Sequence, residues 1–261
     1  MLRSMYTAGT AMISQMRRMD VLTNNLVNVE TRGYKSETLV TRSFRDMLIS
    51  RLNDPSIYRY DQVGPHNTGI HVDQKYISFR QGGLEPTDSP TDFALLDDGF
   101  FCIDYTTEDD EYEVIRYTRN GAFNIDAEGF LVTGEGYRVL GEGGQIEIGS
   151  TDFTVDIDGI IYDADGDEID RLLIVRFEDN SILRKEGDNM YSVFNADPED
   201  PYEPEQVIVG VRQFALEMSN VDPARETVMM MQVFRSYEIN QRILRMIDES
   251  LGRAVNDIAR I

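Results

Sequence analysis

The segment Tyr237-Glu238-Ile239-Asn240-Gln241-Arg242-Ile243-Leu244-Arg245-Met246-Ile247, continued by Leu251, Ala254, Ile258 and Ile261, decides the fold. Tyr237, Leu244, Leu251 and Ile258 recur every seven residues, and Asn240, Ile247, Ala254 and Ile261 repeat the same spacing three residues later. That is a two-position apolar seam on a long helix. Asp222-Pro223 supplies a cap and a first-turn proline, so the helix is predicted over 223–261. Asn240 interrupts the seam with an amide, a device that fixes register at some cost in stability.

A helix with one apolar stripe is not stable alone, so a partner is required. The other end of the chain offers one. Met5, Ala8, Met12, Met19, Leu22, Leu26 and Val29 fall at helical spacing, with Ser4 as cap and a stop by Thr31-Arg32-Gly33, which predicts a second helix over 4–29.

Between the helices the punctuation changes. Turn signals recur at Asp97-Asp98-Gly99, Arg119-Asn120-Gly121, Asp126-Ala127-Glu128-Gly129, Asp158-Gly159 and Asp165-Gly166. Short β-type runs lie between them: Tyr112–Thr118, Phe130–Thr133, Phe153–Ile157 and Arg171–Phe177. The expected fold class is α+β. Long N- and C-terminal helices form a coiled-coil-like pair, and a central all-β domain is barrel- or sandwich-like. The expected division is 1–35 with 216–261 as helical core, 36–75 as an extended connector and 76–215 as the β domain. Residues 195–205, with three prolines, read as an acidic loop.

Composition bounds the function. The 261 residues carry 41% apolar and 28% charged side chains and a net charge of −22. Residues 1–50 sum to +3 and 221–261 to 0, which leaves −25 on 51–220. So acidic a middle repels nucleic-acid phosphate and anionic membrane. The near-neutral ends are free to pack with copies of themselves. No run of eighteen apolar residues exists, so no membrane-spanning helix is expected. The first residues lack an apolar stretch and small-residue cleavage site, so no cleaved secretory signal is expected either. The single cysteine, Cys102, lies in an apolar run and reads as core.

Other features are better explained structurally. His66 and His71 with Asp73 make a weak metal pattern without a visible set of convergent ligands. Asp156–Asp167 resembles a calcium loop, but from Asp163 the glycine falls at position 4 instead of 6, so two hairpin turns are expected. Met229-Met230-Met231 reads as adaptable packing. No phosphate loop, dinucleotide fingerprint or nucleophile elbow is present, so no catalytic, cofactor or metal site is expected and the chain is not read as an enzyme.

Three motifs carry a resemblance. Asn24-Asn25-Leu26-Val27-Asn28-Val29-Glu30-Thr31-Arg32-Gly33-Tyr34-Lys35 resembles the N-terminal signature of bacterial flagellar rod and hook proteins, with Val27 where alanine is usual. Leu216-Glu217-Met218-Ser219-Asn220-Val221, followed by Arg235-Ser236-Tyr237-Glu238-Ile239-Asn240, resembles the C-terminal signature. Gly99-Phe100-Phe101, Tyr117–Phe123 and Gly129–Val132 are similar to the shared β domain. The resemblance is nearest to the distal rod type; proximal rod or hook-type subunits and a rod-associated enzyme are the alternatives. It implies self-assembly into a helical tube that transmits torque. It implies partners among other rod and hook proteins, and location in the basal body after type III flagellar export. It also implies an assembly interface on Asn24, Asn25, Leu26, Asn28, Thr31, Gly33, Tyr34, Leu216, Glu217, Ser219, Asn220, Val221, Arg235, Tyr237, Asn240, Leu244, Ile247 and Leu251. No nucleic-acid binding and no membrane insertion are expected.

Overall fold

The computed structural model describes residues 2–50, 62–106, 114–149, 152–194 and 204–258. Most of the proline-rich loop, the start of the Tyr112 run, Ile261 and the side chain of Ile258 lie outside the described residues.

Helix α1 is Leu2–Val27 and helix α2 is Pro223–Ile258. At about 1.5 Å per residue they run roughly 39 and 54 Å. Helix α1 begins before Ser4, because Leu2 and Arg3 are good helix formers, so Ser4 sits in the first turn instead of capping it. Helix α2 begins where Asp222-Pro223 requires. The Asp222 carboxylate accepts the N–H groups of Ala224 at 3.0 Å and Arg225 at 3.2 Å, two donors with no partner inside the helix. Asp222→Ala is expected to cost about 1 kcal/mol, read as an earlier melting transition in the helical circular-dichroism signal.

The chain forms two compact units, one of residues 1–27, 37–77 and 222–261, the other of 28–36 and 78–221. In the first, α1 packs on α2 and on a two-stranded antiparallel ribbon, Glu37–Ser43 against Ile70–Ile77. A shorter pair, Met47–Ser50 with Gln62–His66, follows within the same excursion. Within the stretch expected as a connector, 37–43 therefore pairs with 70–77 as a ribbon that contributes to helix packing. Phe44 stacks on His71 with ring centroids 4.8 Å apart, so this histidine is packed against an aromatic ring. On α2, Tyr237, Asn240, Leu244, Ile247, Leu251 and Ala254 are half-buried, while Ile239, Arg242 and Met246 between them are exposed. The seven-residue repeat is thus the buried stripe.

The second unit is built from antiparallel strands. Its main sheet runs Leu183–Lys185, Met190–Val193, Ile115–Thr118, Phe100–Asp104, Arg138–Gly141, Leu131–Val132, Asn124–Ile125, with short strands added beside this path. A three-stranded sheet, Phe153–Val155, Ile160–Asp163 and Glu168–Arg171, holds the two aspartate-glycine turns. Asp156 and Asp163 each accept the next N–H at 2.7 Å, and Gly159 and Gly166 take positive φ, so these acids close turns as expected. Phe93, Phe101, Phe123, Leu131, Val139, Ile146 and Ile161 form a buried apolar core, with Phe101 and Phe123 edge to face at 5.3 Å. Cys102 is buried and its thiol is pushed up to about 12 by burial, so it is unreactive.

Candidate functional site: the motif junction

The residues of the three motifs divide between the two units. In the helical unit, Asn25 is buried on α1. Its amide donates to the Glu37 carbonyl at 2.8 Å and accepts the Glu37 N–H at 2.9 Å, completing a strand-like pair between a side chain and a backbone. The same amide nitrogen donates to the Glu226 carboxylate at 3.4 Å, in the first turn of α2. Glu37 in turn pairs with Lys75 across the ribbon at 3.1 Å. One asparagine therefore ties α1, the ribbon and α2 together. A shorter or apolar side chain would leave the Glu37 backbone groups buried and unsatisfied.

In the β unit, residues 28–36 enter through a turn. Thr31 donates its hydroxyl to Asn28 at 3.1 Å, and Gly33 stands at φ +66°. The Gly33 N–H donates to the Glu217 carbonyl at 2.7 Å. Tyr34 and Lys35 are fully buried, and the Lys185 ammonium lies 3.7 Å from the centre of the Tyr34 ring. Lys35 donates to the Glu217 carboxylate at 2.6 Å and to the Arg80 carbonyl at 3.0 Å. The first Glu217 oxygen also accepts the Gly82 N–H at 2.8 Å, while the second accepts Arg119 at 3.2 Å. Arg119 continues to Asp98 at 3.5 Å and covers the Phe100 ring at 5.5 Å. A few residues on, Asn220 accepts the Ser36 N–H at 2.8 Å and donates to the carbonyls of Ser78 at 2.7 Å and Arg80 at 2.9 Å. Ser219 accepts the Val221 N–H at 3.3 Å.

The electrostatics follow from burial. Lys35, Glu217 and Arg119 have side chains no more than 1% exposed. Burial pulls the Lys35 pKa below the ordinary lysine value, and the Glu217 carboxylate opposes it by holding the charge. One carboxylate is shared by two cations, and both of its oxygens accept: the first from Lys35 and Gly82, the second from Arg119. Such a cluster gives specificity of packing. It presents no acid or base to a substrate.

The placement separates the expected interface residues. Asn25, Gly33, Tyr34, Leu216, Glu217 and Val221 are buried within the subunit. Leu26, Asn28, Thr31, Ser219, Asn220, Tyr237, Asn240, Leu244, Ile247 and Leu251 are half-buried. Asn24 and Arg235 are exposed. Asn25, Glu217 and Asn220 thus join segments of one subunit. Lys35, Arg119, Glu37 and Glu226 belong to the two junctions and were not among the expected site residues. Lys35 and Arg119 sit inside the quoted motifs, but nothing in one sequence pairs either with Glu217.

Known proteins align with these segments. The family description "Flagella basal body rod protein" matches residues 5–35. "Flagellar hook protein FlgE/F/G D1 domain" matches 94–170, and "Flagellar basal body rod FlgEFG protein C-terminal" matches 212–257. The chain is 32% identical to the flagellar hook-basal body complex protein FlhO of Bacillus subtilis over the full length of both. It is 33% identical to the flagellar basal-body rod protein FlgG of Borreliella burgdorferi over 98% of each. It is 29% identical to the rod protein FlgF of Caulobacter vibrioides over 99% of this chain and 98% of that one. With the motifs, the junctions they build and full-length similarity in agreement, the chain belongs to the flagellar basal-body rod and hook protein family.

Proposed function

We propose that this chain is a structural subunit of the flagellar rod, with α1 and α2 as a coiled-coil-like pair that packs with copies of itself into a helical tube. The tube transmits torque to the hook, and the subunit reaches its place by type III flagellar export. The distal rod is the position we favour from the motifs, chain length and single β unit, with proximal rod or a hook-type subunit as the alternative.

One observation carries this reading. Each helix has a second apolar face besides the buried stripe. Tyr6, Ile13, Met16 and Val27 on α1, and Val228, Met231, Phe234, Ile239 and Met246 on α2, are all at least half exposed. A single subunit does not explain so many large apolar side chains in water, whereas a packed assembly does. The charge is segregated to match. The helical unit has fourteen Lys/Arg against twelve Asp/Glu, and the β unit eleven against thirty-five. Near-neutral surfaces pack closely, while the acidic unit favours solvent. The sealed Lys35–Glu217–Arg119 cluster supports a structural role over an enzymatic one.

The test is electron microscopy of basal bodies from a strain lacking this gene beside a complemented one. A missing or shortened rod without a hook is the expected result, and the break point gives the position along the rod. An intact rod and hook would refute the proposal.

A further inference from the structure

The outward faces of α1 and α2 match each other in spacing. Counting back from Val27, Asp20 stands seven residues away, Met16 eleven and Gly9 eighteen. Counting forward from Val228, Arg235 stands seven residues away, Ile239 eleven and Met246 eighteen. At 3.6 residues per turn, seven, eleven and eighteen are close to two, three and five turns, so each set lies on one stripe. Val27, Met16, Val228, Ile239 and Met246 are more than half exposed, and Asp20 and Arg235 are exposed. A side chain added at Gly9 would meet nothing within 4 Å, which leaves open space at that level.

The direction also fits. Asn25 near the end of α1 reaches Glu226 at the start of α2, so the two helices of one subunit run antiparallel. Copies repeated side by side with the same orientation place α1 of one antiparallel to α2 of the next. In that arrangement the two stripes meet with Val27 on Val228, Asp20 on Arg235, Met16 on Ile239, and Met246 over Gly9. Asp20 is the only acid on α1, and it falls opposite an arginine.

We propose that the outward stripe of α1, centred on Asp20 and Met16, docks the outward stripe of α2, centred on Arg235 and Ile239, of a second copy of this chain. The inference rests on the assembly reading above and specifies its contact. The two patches differ, so the interface is heterologous, and repeating it extends the assembly instead of closing a dimer. The Asp20–Arg235 pair sets register more than affinity, as an ion pair at a partly wet surface does.

The experiment mixes Asp20→Cys subunits with tagged Arg235→Cys subunits under conditions where wild type polymerises. Polymer is followed by sedimentation and electron microscopy. After mild oxidation, disulfide-linked pairs are read on a non-reducing gel. Because the two cysteines are on different chains, the mixed product is intermolecular, and buried Cys102 stays silent. The expected result is mixed dimer in clear excess over a control mixture of Asp20→Cys with Asp248→Cys, whose cysteine faces elsewhere on α2. A second arm uses charge. Asp20→Arg is expected to raise the subunit concentration needed for polymer about fivefold, and adding Arg235→Asp restores it. Polymer without excess mixed dimer and without rescue overturns this pairing but leaves the assembly reading standing. Failure of wild type to polymerise under any condition removes the assembly reading, and the pairing falls with it.

Discussion

Glu217→Ala is expected to destabilise the β unit by about 3–5 kcal/mol, the cost of leaving a buried charge without its partner. Two cations lose their carboxylate at once. Lys35 retains only the Arg80 carbonyl, and Arg119 retains Asp98, a side chain 78% exposed and therefore a weak partner. For a unit of this size the melting temperature should fall on the order of 10 °C. Lys35→Met in the same background is expected to recover part of the loss, because it removes one of the stranded charges. The pH dependence has a definite sign. Burial already lowers the Lys35 pKa, and the Glu217 carboxylate is what holds it up. Without Glu217 the native state gives up that proton at a lower pH than the unfolded chain does. In the interval between the two pKa values the unfolded state binds more protons, so stability rises with pH there. Urea unfolding at neutral and alkaline pH measures both effects. A loss below about 1 kcal/mol would mean the cluster is wetter than its geometry implies.

How much of this was legible in the sequence depended on whether the interaction was local. The half-buried stripe Tyr237, Asn240, Leu244, Ile247, Leu251 is a period along one element, so the seven-residue spacing exposed it. Asp222-Pro223 and the turns at Asp156–Gly159 and Asp163–Gly166 are contained in a few residues each, and the structure has them where they were expected. The ribbon was not legible. Thr38, Val40, Thr41, Arg42 and Ser43 are all exposed on one strand and Asp73 to Tyr76 on the other, so neither strand alternates apolar and polar residues in the way that marks a half-buried sheet. Nor was the junction. Lys35 and Glu217 are separated by 182 residues and Arg119 and Glu217 by 98. The motifs carry the family resemblance, while the partners that Asn25, Glu217 and Asn220 meet within the subunit emerge only from the fold.

Gly33→Ala tests that distinction. Gly33 sits at φ +66°, where an L-residue pays about 1–2 kcal/mol. The space argument is stronger. A Cβ there would lie 2.5 Å from the Asn120 nitrogen, 2.6 Å from the Arg119 carbonyl carbon and 2.7 Å from its oxygen. All three are backbone atoms, so no side-chain rotation relieves the clash. Either the 28–36 segment or the Arg119-Asn120 turn must move, and each carries a cation of the Glu217 cluster. The Gly33 N–H bond to the Glu217 carbonyl is lost with any such shift. A total of about 3–5 kcal/mol is expected, the range of a severe single substitution. Helix α2 keeps its Asp222 cap, so the helical signal should persist after Tyr34 and Lys35 become accessible. Hydrogen exchange resolves the two: amides of residues 33–36 and 217–220 should exchange far faster than in wild type, while those of α2 change little. If exchange at 33–36 stays slow, the segment is held by something other than this close approach, and the junction is not what fixes it.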